Sequence, residues 1–485
     1  MLSAVACAAG LAAWLVFLRA DLVLSHYDAK AHLVVSRRII DSITPGWQQI
    51  GAVWLPLPHL IHAMPTQIDF LYRTGAFASL ISIACFATTV YAAARLVLLT
   101  TGSPLGAVVA AALLILNPNL LYLQATPMTE PLLLASIFLV VLWLYEWVSL
   151  KQDAVPARLG LALCGAALTR YEAWLVIGAA LLAALYGSAR LGAPRATVFR
   201  RAGRLGAWPA AAIALVLVNS RLTIGTWFVT SDFYVPDLRY QGEALRSVLA
   251  VWWGTHQLST RVTQFTAIAA AALLVARSFI RRADAALLVP VALFASGMLP
   301  FYAFYQGHPF RIRYMIPVVA ACAVFSGLAV GVLRRYPAMA LAGLLIGITL
   351  LQSPPWQRDA PMLLEAQWDR AASEGRRRVT ECLASGYLDD KILASMGSLA
   401  HYMQELSWED FALADFIHEG NGVIWSSAME TGPAPHAGWM LVEERAEGGD
   451  MLAQRIRRDP AFAHGMKRIC EGGGVVLYKR EVVTK

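Results

Sequence analysis

The sequence predicts a polytopic α-helical membrane protein of about eleven spans, followed by a small C-terminal α/β domain. Three observations carry that prediction. Of the 485 residues, 58% are hydrophobic and only 15% are charged, where an ordinary soluble domain carries roughly 25% charged residues. The mean hydropathy is +0.54, which excludes a simple soluble enzyme. The apolar residues also come in long blocks, many of them near the ~20 residues that a helix needs to cross a bilayer, and the blocks end close to residue 353.

The first block, 2–20, has almost no charge before it and no small-residue cleavage site after it, because Arg19, Asp21 and His26 follow. It reads as an uncleaved first span and not as a signal peptide. Further blocks lie at about 71–98, 104–117, 131–149, 157–170, 172–188, 207–223, 263–280, 284–303, 311–332 and 336–353. Around Pro104 and around Arg170 the sequence leaves two readings open, one long kinked helix or two short ones.

Orientation follows from the basic loops. With a cytoplasmic N-terminus, the cytoplasmic loops hold Lys151 and Arg158, then Arg190, Arg195, Arg200, Arg201 and Arg204, then Arg277, Arg281 and Arg282, then Arg334 and Arg335. The positive-inside bias favours this threading and explains the formal net charge of +8 better than a nucleic-acid partner does. An odd number of spans leaves the C-terminus outside. The stretches 21–69, 117–130, 169–172 and 226–261 then face the same side as the tail. The expected division is a membrane domain at 1–353, with a first outer loop at about 21–70, and an extracytoplasmic α/β domain at 354–485. In that domain 391–395, 439–442 and 474–478 are strand-like and 399–406 is helical.

Of six cysteines, Cys7, Cys85, Cys164 and Cys322 lie in expected spans, and Cys382 and Cys470 are the two in the tail. In an oxidising compartment those two are placed to form a disulfide worth about 4 kcal/mol in loop-closure entropy. Two unrelated buried thiols are the alternative. No zinc-type Cys-x-x-Cys spacing occurs.

Polar chemistry collects on the outer side. Ser25-His26-Tyr27-Asp28-Ala29-Lys30-Ala31-His32 follows the first span, and the residues after it suggest an amphipathic interfacial helix, with Leu33, Val34, Ile39 and Ile40 apolar and Arg37, Arg38 and Asp41 polar. Asp28 is a candidate general base toward a hydroxyl; the competing reading is a helix N-cap. The Pro- and aromatic-rich stretch 47–59, from Trp47 to His59, is too broken for a helix and forms either a wall of a site or an ordinary interfacial loop. Glu130 opens a span, where a carboxylate is favoured by the exposed amides; with Asp28 it would hold a divalent cation or bind an acceptor. Arg170 and Glu172 interrupt an apolar run, as a functional pair or as a plain ion pair. In 305–314, Arg311 and Arg313 sit at an outer helix start against the inside bias, and phosphate binding is the natural reason because guanidinium is a bidentate phosphate donor.

Asp28 after the first span, the interfacial helix, Glu130 in the second outer loop, Arg313-Tyr314 at a late span and an outer C-terminal domain together resemble the GT-C superfamily of glycosyltransferases. The pattern is most similar to the bacterial protein O-mannosyltransferase-like group, glycosyltransferase family 39, and more distantly to the aminoarabinose transferase. The resemblance implies a multi-pass protein of the bacterial inner membrane that moves a sugar from a polyprenyl-phosphate donor to a protein, lipid or glycan hydroxyl on the outer face. It implies Asp28 as the catalytic base with Glu130 beside it, and donor-phosphate contacts from Arg313 first, then Arg311 or His308. Substrate contacts would come from His26, Tyr27, His59, Arg170, Glu172 and Tyr314. The family often shows an acidic pair in the first loop, whereas this chain has Asp28-Ala29. Metal use therefore stays open, a divalent cation at Asp28 and Glu130 being the one cofactor in question, and a lipid-monophosphate donor needs none.

The outer domain is expected to cap the site, with Gly397-Ser398 and His418-Glu419-Gly420-Asn421 as loop features. A lipid-sugar flippase or other transporter is the rival reading. It would call for related halves and mid-bilayer charges, and no internal repeat is visible in the sequence. A receptor or assembly factor would tolerate loss of Asp28.

Overall fold

The computed structural model describes residues 1–151, 154–227, 236–446 and 449–481. Part of the expected outer loop at 226–261, residues 228–235, and the last four residues of the tail lie outside the described residues. The chain divides into two compact units. The first comprises Met1–Ala20, Ser79–Val218 and Pro236–Glu365; the second comprises Asp21–Ala78, Asn219–Val235 and Ala366–Lys485.

The first unit is helical. Among the described residues, nine helices are long and apolar enough to cross a membrane: Leu2–Arg19, Ala76–Thr101, Glu130–Ser149, Glu172–Arg190, Arg195–Ile224, Arg261–Ile280, Arg282–Tyr305, Ile312–Val332 and Arg335–Gln352. Two shorter apolar helices, Pro104–Ile115 and Ala157–Ala167, stand beside them. Both places that the sequence left open therefore contain two helices. At the first, Gly102 takes a left-handed φ of 70°, and Ser103 Oγ accepts from the Gly106 amide at 3.1 Å to start the next helix at Pro104. That helix stops at Ile115, and Asn117 caps the next one, Pro118–Leu123, its Oδ1 accepting from the amides of Asn119 and Leu120 at 3.0 and 3.1 Å. Pro104–Ile115 packs on Ile316–Val332 with almost no separation. A Cβ at Gly106 would sit 2.5 Å from the Gly327 carbonyl oxygen, so only glycine allows the two backbones to meet.

The second unit is built on a five-stranded sheet: β1 (Ile392–Ala394), β2 (Phe416–Ile417), β3 (Trp439–Glu443), β4 (Met466–Gly472) and β5 (Val475–Arg480). The order is β2-β1-β3-β5-β4. β1 runs parallel to β2 and β3, with Ile392 opposite Phe416 and Trp439, and β5 runs antiparallel to β3 and β4. The stretches 391–395, 439–442 and 474–478 fall on β1, β3 and β5. Side chains alternate across the sheet. Ile392, Ala394, Phe416, Trp439, Leu441 and Leu477 belong to one buried core, and Leu393, Ile417, Met440 and Val442 to the other. The first core also takes in Ala31, Leu33, Val34 and Tyr72. Residues 21–78 are thus part of the same folded body as the tail. Cys382, in helix Arg370–Gly386, and Cys470, in β4, form a disulfide across 88 residues.

Candidate functional site

Among the described residues, each unit contains a buried charged cluster. In the first unit, Glu130 and Glu172 are the first residues of their helices, where exposed amides and the helix dipole favour a carboxylate. Arg170 sits in the link before Glu172. It donates through Nη2 to Glu172 Oε1 at 2.7 Å, and through Nη1 to Glu130 Oε1 at 3.1 Å and Thr129 Oγ1 at 2.9 Å. Arg313 occupies the turn Ile312–Met315 that leads into Ile316–Val332. Its Nη1 donates to Glu365 Oε1 at 3.3 Å, and its Nε lies 3.6 Å from Glu130 Oε1. Glu365 Oε2 also accepts from the Ile312 amide at 3.2 Å. Glu130 and Glu365 are each only 1% exposed, so this is a desolvated network in which a guanidinium bridges carboxylates from separate helices. Glu130 Oε2 is buried and accepts no hydrogen bond.

A small cavity nearby is lined by Glu130, Gln124, Leu120, Leu123, Leu134 and Ile316. Gln124 gives Nε2 to the Gly10 and Leu121 carbonyls at 3.2 and 2.9 Å, which fixes its amide orientation and leaves its Oε1 as a second buried acceptor with no donor.

His308 and Tyr314 form a local pair beside Arg313. His308 Nδ1 donates to the Pro309 carbonyl at 2.8 Å, and in the neutral ring Nε2 accepts from the Tyr314 hydroxyl at 3.3 Å. Arg311 is half-buried at the start of the same turn.

In the second unit, Asp28 is buried in the first turn of helix Tyr27–Arg37. The cap is His26: its Nδ1 accepts from the Asp28 amide at 3.1 Å. The N-cap reading of Asp28 is therefore corrected, and its carboxyl is not committed to that role. His26 stacks on Tyr27 with ring centres 4.8 Å apart, and Tyr27 meets His401 edge-on at 6.4 Å. The helix is also not an interfacial one with a polar face. Every residue from Asp28 to Ser36 is buried, because the helix lies against helix Met396–Leu406 and the core of the sheet. Ile39, Ile40 and Asp41 follow it outside the helix.

Lys30 on this helix reaches Glu405 Oε1 at 2.6 Å. Glu405 is gripped by Arg376, Nε to Oε2 at 3.0 Å and Nη2 to Oε1 at 2.7 Å, and by Ser373 Oγ at 2.9 Å. Arg376, with a fully buried side chain, also donates to both oxygens of Asp369 at 3.0 and 2.6 Å. Burial pushes the Glu405 carboxyl up, but Arg376 and Lys30 outweigh it and hold it down at about 2. Burial, and then Arg376, push the His401 imidazole down to about 4.

His59 is fully engaged. Its Nδ1 donates to the Leu55 carbonyl at 3.0 Å, so its Nε2 accepts from His32 Nδ1 at 3.2 Å. Burial keeps the ring neutral, with its pKa lowered to about 3. Trp54 stacks on it at 5.8 Å. Trp47 begins a short 3-10 turn, Trp47–Ile50, and Gln49 from that turn donates to the Gly420 carbonyl at 2.9 Å.

Of the residues read from the sequence, the structure brings together Glu130, Arg170, Glu172 and Arg313 in the first unit, and His26, Tyr27 and Asp28 in the second. Sequence reasoning missed Glu365, Gln124, Lys30, Glu405, Arg376 and Asp369. Glu365 did leave a signal, since it is a lone charge within the apolar stretch 360–366. Among the described residues, no group of three or more His, Cys, Asp or Glu is placed to hold a metal ion. No known family model matches the chain, and no curated protein matches it.

Proposed function

We propose that the chain is a multi-pass membrane glycosyltransferase of the GT-C type that moves a sugar from a polyprenyl-phosphate donor to an acceptor hydroxyl on the outer face. One observation carries this reading. Glu130, Glu172 and Arg313 stand at the starts of three apolar helices, and their side chains meet in a single buried network with Arg170 and Glu365. Charges at the beginnings of apolar helices mark a functional site by default, because burying them in a membrane protein is costly.

The threading that suits it has eleven passes, with the N-terminus inside and the second unit outside. The two short helices set the depth of the site. Ala157–Ala167 has 11 residues, about 16 Å of helix against a bilayer core of ~30 Å. The link at 168–171 that carries Arg170 is then recessed below the outer surface. Arg313 first, with Arg311 or His308, neutralises the donor's phosphate as it leaves. Asp28 takes the proton of the acceptor hydroxyl as that oxygen attacks the anomeric carbon, which gives inversion, and such general-base help is worth about 10²- to 10⁴-fold.

The test is sugar release from synthetic polyprenyl-phosphate donors by purified protein in nanodiscs, with and without EDTA. Transfer from at least one lipid-phosphate sugar is expected. EDTA sensitivity would establish a metal, which the first-loop sequence leaves open. No transfer from any donor, together with lipid-sugar translocation by the same protein in sealed proteoliposomes, would replace this reading with transport.

A further inference from the structure

We propose that the C-terminal sheet domain positions the Asp28 helix, with Lys30 as the residue through which Glu405 and Arg376 fix that helix's rotation. The proposal rests on the reading of Asp28 as the base.

A helix buried at every residue from Asp28 to Ser36 has no solvent-facing side to set its rotation, so its partners must set it. One side is held by packing: Leu33 and Val34 share a core with Leu399, Tyr402 and Met403. The exit is held by hydrogen bonds. Arg37 Nε donates to Asp41 Oδ2 at 2.8 Å, and Asp41 accepts from the amides of Leu413 and Ala414 at 3.1 and 2.9 Å. The turn beyond is held too, with Asn421 Nδ2 donating to Thr44 Oγ1 at 3.0 Å.

A charge-assisted hydrogen bond adds a directional contact to that packing. Lys30 and Glu405 meet at 2.6 Å, and Glu405 cannot follow a moving partner, because Arg376 grips both of its oxygens and is itself locked to Asp369. Asp28 precedes Lys30 by two residues, about 200° around an α-helix. With Lys30 pinned to Glu405, the Asp28 side chain is turned to the opposite side of the helix, away from the sheet domain. The sheet domain thereby aims the carboxyl through the rotation of its helix. A displacement of about 1 Å in a reacting group costs on the order of 10²-fold in rate, which is the scale on which this pin acts.

The test compares full-length wild type with Lys30→Met, which keeps the stem and loses the ammonium, and with Lys30→Arg, which keeps the charge. Two readouts are taken: hydrogen exchange of residues 27–37, and kcat and KM for the lipid donor. Lys30→Met is expected to exchange at 27–37 at least about tenfold faster while β1 and β3 stay protected. Its kcat is expected to fall by about 10²-fold with donor KM unchanged, and Lys30→Arg to restore most of both. Wild-type exchange at 27–37 in Lys30→Met overturns the proposal, even where kcat falls. Where Lys30→Met fails to fold, Lys30→Gln replaces it as a neutral donor, and wild-type exchange in that variant is equally fatal. Asp28→Asn separates the two claims: undiminished transfer by that variant removes the base assignment, while the exchange data still decide the positioning.

Discussion

In the second unit, Arg376 engages Asp369 and Glu405 with all its guanidinium nitrogens, and both oxygens of each carboxylate are occupied. In the first unit, Glu130 gives Oε1 to Arg170 and leaves Oε2 buried without a donor. Both networks pair carboxylates with buried guanidinium groups, but Glu130 and Glu365 are almost fully buried while Asp369 and Glu405 are half-buried, and the networks differ in completeness. A saturated network has nothing left to offer a ligand and acts as a clamp. A network with an orphaned buried acceptor carries a desolvation cost that a stability role does not explain, and such exceptions concentrate at functional sites.

That contrast can be broken at either end. Arg376→Met should have the largest effect on folding, about 3 kcal/mol, because it removes a fully buried guanidinium from two half-buried carboxylates and leaves Glu405 to Lys30 and Ser373. It should be read as loss of protection across β1 and β3 in hydrogen exchange. A variant as stable as wild type would show that the clamp does not hold the second unit. Glu130→Gln should behave in the opposite way. Transfer should fall by about 10²-fold, while the unfolding free energy moves by no more than ~1.5 kcal/mol, since the amide oxygen still accepts from Arg170. Strong destabilisation with activity per folded molecule intact would make the first-unit network a second clamp and erase the difference.

Acid should weaken the second-unit network. His401 is held at about 4 against 6.5, and Glu405 at about 2 against 4.5. Both folded-state values are depressed, so the unfolded chain binds more protons as pH falls. The stability these groups confer on the second unit is complete above about pH 6.5. The His401 share is lost between about 6.5 and 4, and the Glu405 share between about 4.5 and 2. Exchange protection of 439–443 measured from pH 7 to pH 3 should decline over that window, and a flat profile would contradict the assigned network. The smallest effect is expected at Arg158, whose bond to Glu146 is half open to solvent, with side-chain exposures of 55% and 18%. Arg158→Ala should change stability by less than about 1 kcal/mol and leave transfer unchanged, which makes it the control for both networks.

The helices of the first unit were legible because long apolar blocks have few other uses, and the breaks at Gly102 and at 168–171 were legible as places of doubt. β1, β3 and β5 showed as short apolar runs. β2 did not, because two residues carry no period, and β4 did not, because Lys467, Arg468 and Glu471 line its exposed side. Residues 27–37 looked amphipathic since Leu33 and Val34 are apolar and Arg37 is polar, yet the tail supplies partners for the polar residues as well as the apolar ones. Lys30 and Glu405 are 375 residues apart, so no local pattern could pair them. Sequence placed Glu130, Arg170, Glu172 and Arg313 on one side of the helices but could not show that Glu365 closes their network.

The central claim is that Asp28 is the base of a sugar transfer. The most direct measurement is single-turnover transfer from a radiolabelled polyprenyl-phosphate sugar by wild type and by Asp28→Asn in nanodiscs, with donor binding measured in parallel. The account predicts a loss of about 10²- to 10⁴-fold in the chemical step with donor binding retained. Equal rates for the two proteins would contradict it.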